Sequence, residues 1–474
     1  MRQQKEVSLA VQARVGGTAV LLFAFANLLS SGLCGAVPTA VGDAGLEQLP
    51  DDLTQVSASN LTKTGVAKLR KFSKLKDVSL VFCQLDKEAT SALAHLPLHR
   101  LEIFSCKLPN GGQLTSDQLC IDEFSELRAL KFSQVKIDGR SFFFSCAKLK
   151  SLEEIEIETL GVGARSLDDG DIRALAQTPA LSRVRIHDGG GLGSDSVTAL
   201  CAKPLTVLHI DWFQNLSKRV LATVGACKTL VSIDFGYRML LDDTTSPLRE
   251  TVEDPSLLRF IAELPALEEC TLDCRNGAGS PAFVGLLAQN KKMKKFSVFG
   301  CADFDNEGCR WLAKVDLESL DCSECSKVGE DGLRAIVGIE ALKTLCCGGE
   351  RFKCEVSSQF LSEAKAKKLE HLTIINLKLT DLAPLEKFIS SSTYLQSLRI
   401  PGSAWIGREA LAAIAQSSIE ILDLRRNEWV DSRVLTALQS MKKLRRLFVT
   451  GCSAVSKEDV AAFRRALPNC VIVG

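Results

Sequence analysis

The amino-acid sequence predicts an α/β solenoid, in which short strands form one parallel sheet and helices cover one face of it. Two observations support this prediction. A hexad with apolar residues at positions 1, 4 and 6 recurs along most of the chain, and the segments between hexads carry apolar residues at helical spacing. A single strand–helix unit cannot bury its apolar faces alone, so we expect neighbouring units to stack on one continuous core.

The hexad is the strongest signal in the chain. Fifteen copies occur, and positions 1, 4 and 6 of every copy hold an apolar residue or cysteine, although such residues make up 46% of the sequence. The mean interval between copies is about 26 residues, which accommodates one strand and one helix. The copies start at residues 75, 98, 127, 152, 181, 205, 230, 267, 293, 317, 342, 369, 395, 419 and 444.

The hexads and the segments between them predict the individual elements. Positions 4 to 6 alternate and predict a short strand, whereas segments such as 329–341 and 407–418 predict helices. A degenerate first copy at 53–61 and a closing strand after Cys470 are expected to cap the two ends. We therefore expect residues 53–474 to form one domain of about 15 repeats, preceded by a linker or cap at 37–52.

The pattern LxxLxLxxC resembles the cysteine-containing, ribonuclease-inhibitor-like class of leucine-rich repeat proteins over residues 53–474. The resemblance implies a horseshoe with the parallel sheet on its concave face, helices on its convex face, and protein binding along the concave sheet. The class includes the substrate-binding halves of F-box ubiquitin-ligase receptors, although no F-box-like helical module fits before residue 53. Because the class recurs among inhibitors, receptors and scaffolds, it indicates a fold more than a function.

Eighteen cysteines raise the question of metal binding or thiol chemistry, above all at Cys322-Ser-Glu-Cys325 and Cys346-Cys347. The repeat places Cys322 and Cys347 at the inward position 6 and Cys325 at position 9, where the class has an inward Cys or Asn that bonds the turn backbone. We expect structural cysteines without metal or cofactor; metal binding and disulfide chemistry are the alternatives, and buried thiols suit a reducing compartment. Other residues in these frames are Cys83, Cys106, Cys270, Cys301, Cys452 and Asn427.

The amino terminus favours a different compartment. The apolar segment TAVLLFAFANLL (18–29) follows three basic residues, and small residues up to Ala36 suit cleavage, so residues 1–36 resemble a signal peptide. The uncharged stretch 15–42 is also long enough for a membrane anchor. The sequence thus predicts a secretory or membrane-attached protein, with an organellar presequence and a hydrophobic cap on a cytoplasmic solenoid as alternatives.

The charge distribution argues against nucleic acid as partner. Lys and Arg number 58 and Asp and Glu 57, so no global field attracts a polyanion, and membrane contact is expected only through an uncleaved amino terminus. The basic run 291–295 lies alongside Glu268 and Glu269. At position 5, Lys131, Glu156 and Arg185 alternate in charge, which predicts pairing between strands. Position 2 alternates in the same way, through Glu268, Lys294, Glu318, Lys343, Glu370, Gln396, Glu420 and Arg445.

The copies at 181, 205 and 230 lack such alternation at position 2 and carry aromatic residues at their outward positions. A Trp and a Tyr on adjacent strands among mixed charges have the composition of a protein-interface hot spot, although Trp212 alternatively covers the edge of its turn. An acidic insertion at 236–256 is expected to loop out beside them. The candidate partner-binding residues are Arg185, His209, Asp211, Trp212, Asp234 and Tyr237.

No recognisable catalytic set is present in the sequence. The five histidines are scattered, and the glycine-rich run 189–194 after His187 matches neither a phosphate loop nor a dinucleotide fingerprint. No Ser or Cys sits in a nucleophile elbow. We therefore expect a non-enzymatic module that binds a polypeptide on its concave sheet, as a receptor-like or scaffold protein. The alternative is a substrate-recognition subunit of a ubiquitin ligase.

Overall fold

The computed structural model describes most of the chain after the amino-terminal segment. The signal-like residues 1–36, most of the acidic insertion, Trp212 and Tyr237 lie outside the described part. The described residues are 37–112, 114, 116–135, 140–158, 167–187, 189–211, 213, 216–236, 255–272, 277–349, 356–362, 364, 368–403 and 410–474.

The strands form a single open sheet in which each strand pairs in parallel with the next one along the chain. Equivalent hexad positions lie opposite one another, as Leu101, Leu130 and Ile155 do at position 4. In the described residues the strands are β1 (Thr39–Val41), β2 (Gln55–Ser59), β3 (Asp77–Val81), β4 (Arg100–Phe104), β5 (Ala129–Ser133), β6 (Glu154–Glu158), β7 (Arg183–Ile186), β8 (Val207–Ile210), β9 (Ser232–Asp234), β10 (Glu269–Thr271), β11 (Lys295–Ser297), β12 (Ser319–Asp321), β13 (Thr344–Gly348), β14 (His371–Ile375), β15 (Ser397–Arg399), β16 (Ile421–Asp423), β17 (Arg446–Phe448) and β18 (Val471–Val473).

A helix follows nearly every strand, and several helices begin at a side-chain cap, such as Asp86 or Ser217, that accepts a backbone N–H of the first turn. Four short 3₁₀ helices occur in the described residues at Leu46–Gln48, Leu69–Lys71, Ile121–Glu123 and Pro255–Leu258. The α-helices there are α1 (Gly42–Gly45), α2 (Lys63–Lys68), α3 (Lys87–Ala94), α4 (Ser116–Leu119), α5 (Arg140–Cys146), α6 (Asp169–Leu175), α7 (Ser194–Cys201), α8 (Lys218–Ala226), α9 (Arg259–Ala262), α10 (Pro281–Leu287), α11 (Asn306–Leu312), α12 (Glu330–Val337), α13 (Gln359–Ser362), α14 (Ala383–Ser391), α15 (Leu411–Gln416), α16 (Ser432–Leu438) and α17 (Lys457–Ala466).

One hydrophobic core runs between the sheet and the helices. Positions 1, 4 and 6 of all 15 hexads are buried, and they join the apolar helix faces in a single cluster. Positions 3 and 5 point to the other face, because successive side chains of a strand alternate. The predicted fold class is therefore confirmed: the chain forms an α/β leucine-rich repeat solenoid, with one parallel sheet and helices on one side of it.

Position 9 links successive repeats through hydrogen bonds. The Sγ atoms of Cys325 and Cys452 donate to the position 6 carbonyls of the preceding repeats, at 3.0 and 3.1 Å. The Nδ2 atom of Asn427 donates to Ile400 O at 2.8 Å, and it also reaches Leu424 O at 2.9 Å. Cys83, Cys106, Cys301 and Ser403 make the equivalent contact to the repeat before them. The predicted inward role of this position is confirmed.

Short strands form the two ends of the sheet. The degenerate copy at 53–61 forms β2 and the terminal residues form β18, as predicted. The linker at 37–52 also contributes a strand, β1, which pairs in parallel with β2. Strand β1 is three residues long and only Ala40 of it is buried, so no hexad marked it. No helix in the described part of the chain is long and apolar enough to cross a membrane.

Candidate functional site

The face of the sheet that the helices leave uncovered carries a chain of charged groups across β5 to β8. Lys131 Nζ lies 2.7 Å from Glu156 Oε1 on the neighbouring strand. Glu156 Oε1 lies 3.5 Å from His187 Nε2, and His187 Nδ1 lies 2.9 Å from Asp211 Oδ2. Four groups of alternating charge, from four successive repeats, are thus connected, and the last of them, Asp211, is buried.

This arrangement shifts the pKa of both central groups. Burial disfavours the charged imidazole, but hydrogen bonds to Asp211 and Glu156 outweigh burial and raise the pKa of His187 to about 9. Burial likewise opposes ionisation of Glu156, but His187 and Lys131 lower the pKa of its carboxyl to about 2. Both groups are therefore charged at neutral pH, and His187 acts here as a cation that joins two carboxylates.

A second network begins at β6 and contains Arg185. Glu154 binds two arginines of β7, with Arg183 Nη2 at 3.2 Å and with Arg185 through Nη1. The charge of Arg185 lies beside His209 on β8, which is its partner in the register. Burial and then the Arg185 charge lower the pKa of His209 to about 4, so His209 is neutral at pH 7.

His209 starts a relay of hydrogen bonds towards β11. Its Nε2 lies 2.8 Å from Ser232 Oγ, and Ser232 Oγ in turn donates to Glu269 Oε2 at 2.9 Å. Glu269 Oε1 is 2.6 Å from Lys295 Nζ. Since Ser232 uses its proton towards Glu269, it accepts from His209, which therefore carries its proton on Nε2. The relay orients a neutral imidazole on the uncovered face.

The structure brings together the four predicted site residues that it describes. Arg185, His209 and Asp234 lie side by side in register on β7, β8 and β9, and Asp211 follows β8. Asp211 and Asp234 are buried, and Asp234 Oδ1 accepts the Gly236 N–H at 2.8 Å. The aromatic pair of the prediction, Trp212 and Tyr237, lies outside the described residues.

The copies at 181, 205 and 230 lack charge alternation at position 2, as their sequence shows, but they are not without charge pairs. Arg185 and Asp211 find partners at other positions of neighbouring strands. The partners Glu154 and His187 occupy positions 3 and 7. Comparing the charges at all uncovered positions of adjacent copies, instead of at one position, would have predicted these two partners.

The predicted charge ladder is confirmed for three pairs at position 2 and for Lys131 with Glu156 at position 5, whereas Arg185 pairs with Glu154 instead of Glu156. Lys294 lies 2.6 Å from Glu268, and Lys343 lies 2.7 Å from Glu318. Arg445 Nε is 3.1 Å from Glu420 at the same hexad position. Lys295 pairs with Glu269 in the same way, so the basic run 291–295 is partly neutralised by the strand beside it, as expected.

The cysteines of the described residues show no clustering suited to metal. No group of three or more His, Cys, Asp or Glu side chains in the described ranges is able to hold a metal ion. All 15 cysteines described there are free thiols, and Cys322 and Cys325 of the CxxC are both fully buried. Burial raises the pKa of Cys325 and of Cys347 to about 12, which keeps both thiols protonated.

Comparison with known proteins identifies no family for the chain. No protein-family model matches the chain, and no curated protein matches it. A structure of the Rad7 and Elc1 complex in yeast aligns with a TM-score of 0.40 and 16% identity, covering 100% of this chain and 94% of the other. A structure of the TLR13–ssRNA13 complex aligns with a TM-score of 0.36 and 12% identity, covering 88% and 79%. Alignments at this level define neither a family nor a function.

Proposed function

We propose that the protein is a non-enzymatic interaction module that binds a polypeptide on the uncovered face of its sheet. The observation that carries this proposal is the length of that face. Eighteen strands in the described residues, about 4.8 Å apart, extend over roughly 80 Å and present side chains from every repeat. A surface of this extent suits an interface of about 20 to 30 residues a side, whereas a small molecule needs an enclosed pocket.

The polar networks support the same proposal. The imidazoles of His187 and His209 are held by neighbouring side chains, and each is used to bridge strands. A surface whose charges are already oriented in this way is rigid, and a rigid surface binds a partner with a smaller loss of side-chain entropy. The networks therefore hold the uncovered face in one conformation, and side chains outside the networks make the contacts with the partner.

Photo-crosslinking from defined positions tests the proposal. A photoreactive amino acid replaces Ser79 on β3 or Thr373 on β14, both half-buried on the uncovered face, and the control replaces the exposed Phe144 on helix α5. We expect polypeptide adducts, identified by mass spectrometry, from the two sheet positions and none from the helix position. Adducts that form equally from Phe144, or that consist of nucleic acid, would overturn the proposal.

The aromatic patch at Trp212 and Tyr237 is the proposed centre of this interface. Truncation of an interface aromatic typically costs about 2 kcal/mol, or roughly thirtyfold in affinity, so Trp212→Ala and Tyr237→Ala should weaken binding of the crosslinked partner without changing the melting temperature. Glu318→Ala is the control, because Glu318 is engaged with Lys343. If Glu318→Ala alone abolishes binding, the interface does not lie at Trp212 and Tyr237.

We also propose membership of the cysteine-containing, ribonuclease-inhibitor-like class and a secretory or membrane-attached location. The first is supported by the hydrogen bonds that Cys325 and Cys452 make at position 9, and the second by the apolar segment 18–29. Free thiols in the described residues are more typical of a reducing compartment. Amino-terminal sequencing of the protein from its own cell decides the location: a start near Val37 supports it, and an intact Met1 in the cytoplasm overturns it.

A further inference from the structure

Basic side chains within the strands of the sheet fall into two groups. In the described residues, those of β4 to β11 lie within 4.0 Å of a carboxylate, and they are Arg100, Lys131, Arg183, Arg185 and Lys295. The two remaining ones are Arg399 on β15 and Arg446 on β17. Neither of these has an ion pair or side-chain hydrogen bond within the described part of the chain.

Arg399 and Arg446 occupy the uncovered face, on either side of strand β16. They stand at positions 5 and 3 of their hexads, so both alternate with the buried residues of their strands. Arg399 is exposed and Arg446 is half-buried. In the register Arg399 lies opposite Asp423 and Arg446 lies opposite Ile421, so the two arginines flank β16 on the same face. Burial and then the charge of Arg399 lower the pKa of the Arg446 guanidinium.

The carboxylate between them is already engaged. Asp423 lies opposite Arg399 in the register, but it is buried and accepts hydrogen bonds from both Nε and Nη2 of the Arg425 guanidinium. The Arg425 atoms Nε and Nη2 lie 2.9 and 2.6 Å from the Asp423 oxygens. A carboxylate that is bound by one arginine in this bidentate way has little charge left to attract a second cation. The local charge of β15 to β17 is thus positive.

Apolar side chains flank Arg446, whereas the register partners of Arg399 are Thr373 and Asp423. Ile421 lies opposite Arg446 in the register, and Val471 lies opposite Arg446 on its other side. Val471 is 54% exposed, and Phe448 is half-buried beside Asp423. We define the arginine patch as Arg399, Arg446, Ile421, Phe448 and Val471.

We propose that the arginine patch binds an acidic segment of a polypeptide partner, with one carboxylate between the two guanidinium groups and apolar side chains on Ile421, Phe448 and Val471. This inference rests on the proposed function and names the chemistry of the partner. Guanidinium groups bind carboxylates with paired, directional hydrogen bonds. A nucleic acid fits less well, because its affinity depends on many phosphate contacts along a basic track and the patch has two free cations.

Fluorescence anisotropy with the full chain tests the inference. The probe is a fluorescein-labelled peptide of alternating Glu and Leu, and its comparison probes are the Gln–Leu peptide and a single-stranded oligothymidine. We expect binding of the Glu–Leu peptide alone. Arg399→Gln and Arg446→Gln should each weaken it about tenfold or more, since hydrogen bonds between charged groups are lost.

Arg445→Gln is the matched control. It removes the same charge next to Arg446 in the sequence, but Arg445 is already paired with Glu420 at 3.1 Å. An equal loss in this control, equal binding of oligothymidine, or no binding of the Glu–Leu peptide would overturn the inference. The photo-crosslinking experiment distinguishes failure of the arginine patch from failure of the proposed function. If Arg399→Gln leaves the sheet-face adducts intact, the patch is refuted and the interaction module stands; if wild type yields no such adducts, the proposed function itself fails.

Discussion

The cationic His187 gives a stability change with a defined pH window. Its pKa is raised to about 9, because Asp211 and Glu156 bind the imidazolium and outweigh the cost of burial. A raised pKa adds stability that is fully present below the ordinary value near 6.5 and disappears as the pH rises through 9. The difference of about 2.5 pKa units corresponds to roughly 3 kcal/mol at most, and the side chain is only 22% exposed.

The perturbation is His187→Gln, which keeps a hydrogen-bond donor but cannot take up a proton. We expect wild type to exceed the variant in free energy of unfolding by an amount that falls by roughly 2 to 3 kcal/mol between pH 7 and pH 10. Urea unfolding followed by far-ultraviolet circular dichroism at both pH values measures the difference. Comparison at each pH cancels the titration of lysines and cysteines that both proteins share.

His209→Gln is the matched control, since the same substitution is made one strand away. Burial and Arg185 lower the pKa of His209 to about 4, so the imidazole is neutral in the folded protein across this pH range. The difference between wild type and this variant should therefore change little from pH 7 to pH 10. A constant difference for His187→Gln as well would refute the charged bridge between Glu156 and Asp211.

Three further outcomes follow from the repeat itself. Asn427→Leu removes the donor to Ile400 O and should lower the free energy of unfolding by about 2 kcal/mol, whereas Asn427→Cys should cost less, because other repeats use Cys there; equal losses in urea unfolding would contradict this. Glu318→Ala breaks a half-exposed pair with Lys343 and should lower the free energy of unfolding only slightly, less in high salt; a large loss that salt does not change would count against a solvent-screened ladder. Alkylation followed by mass spectrometry should find most thiols of residues 37–474 unreactive in the folded protein and reactive in urea, and a disulfide between Cys322 and Cys325 would be inconsistent with the fold.

The repeat and its core could be predicted from the sequence alone. The hexad predicts which residues point inward, because a strand alternates and a solenoid repeats the same environment at a fixed interval, and Leu130 and Cys325 are buried accordingly. The pairing of Lys294 with Glu268 was also predictable. Equivalent positions of neighbouring parallel strands lie opposite one another, so charges at one position meet across the sheet.

Which charged side chains are paired, and which are not, became visible only in the folded chain. Glu154 pairs with Arg185 across two positions, and His187 lies between carboxylates of two other repeats. Such contacts depend on side-chain length and rotamer, which a comparison of single positions does not contain. For the same reason the sequence does not distinguish Arg399 and Arg446 from the paired arginines. The structure shows that neither binds a carboxylate of the described residues, because Asp423, which lies between their strands, is bound by Arg425.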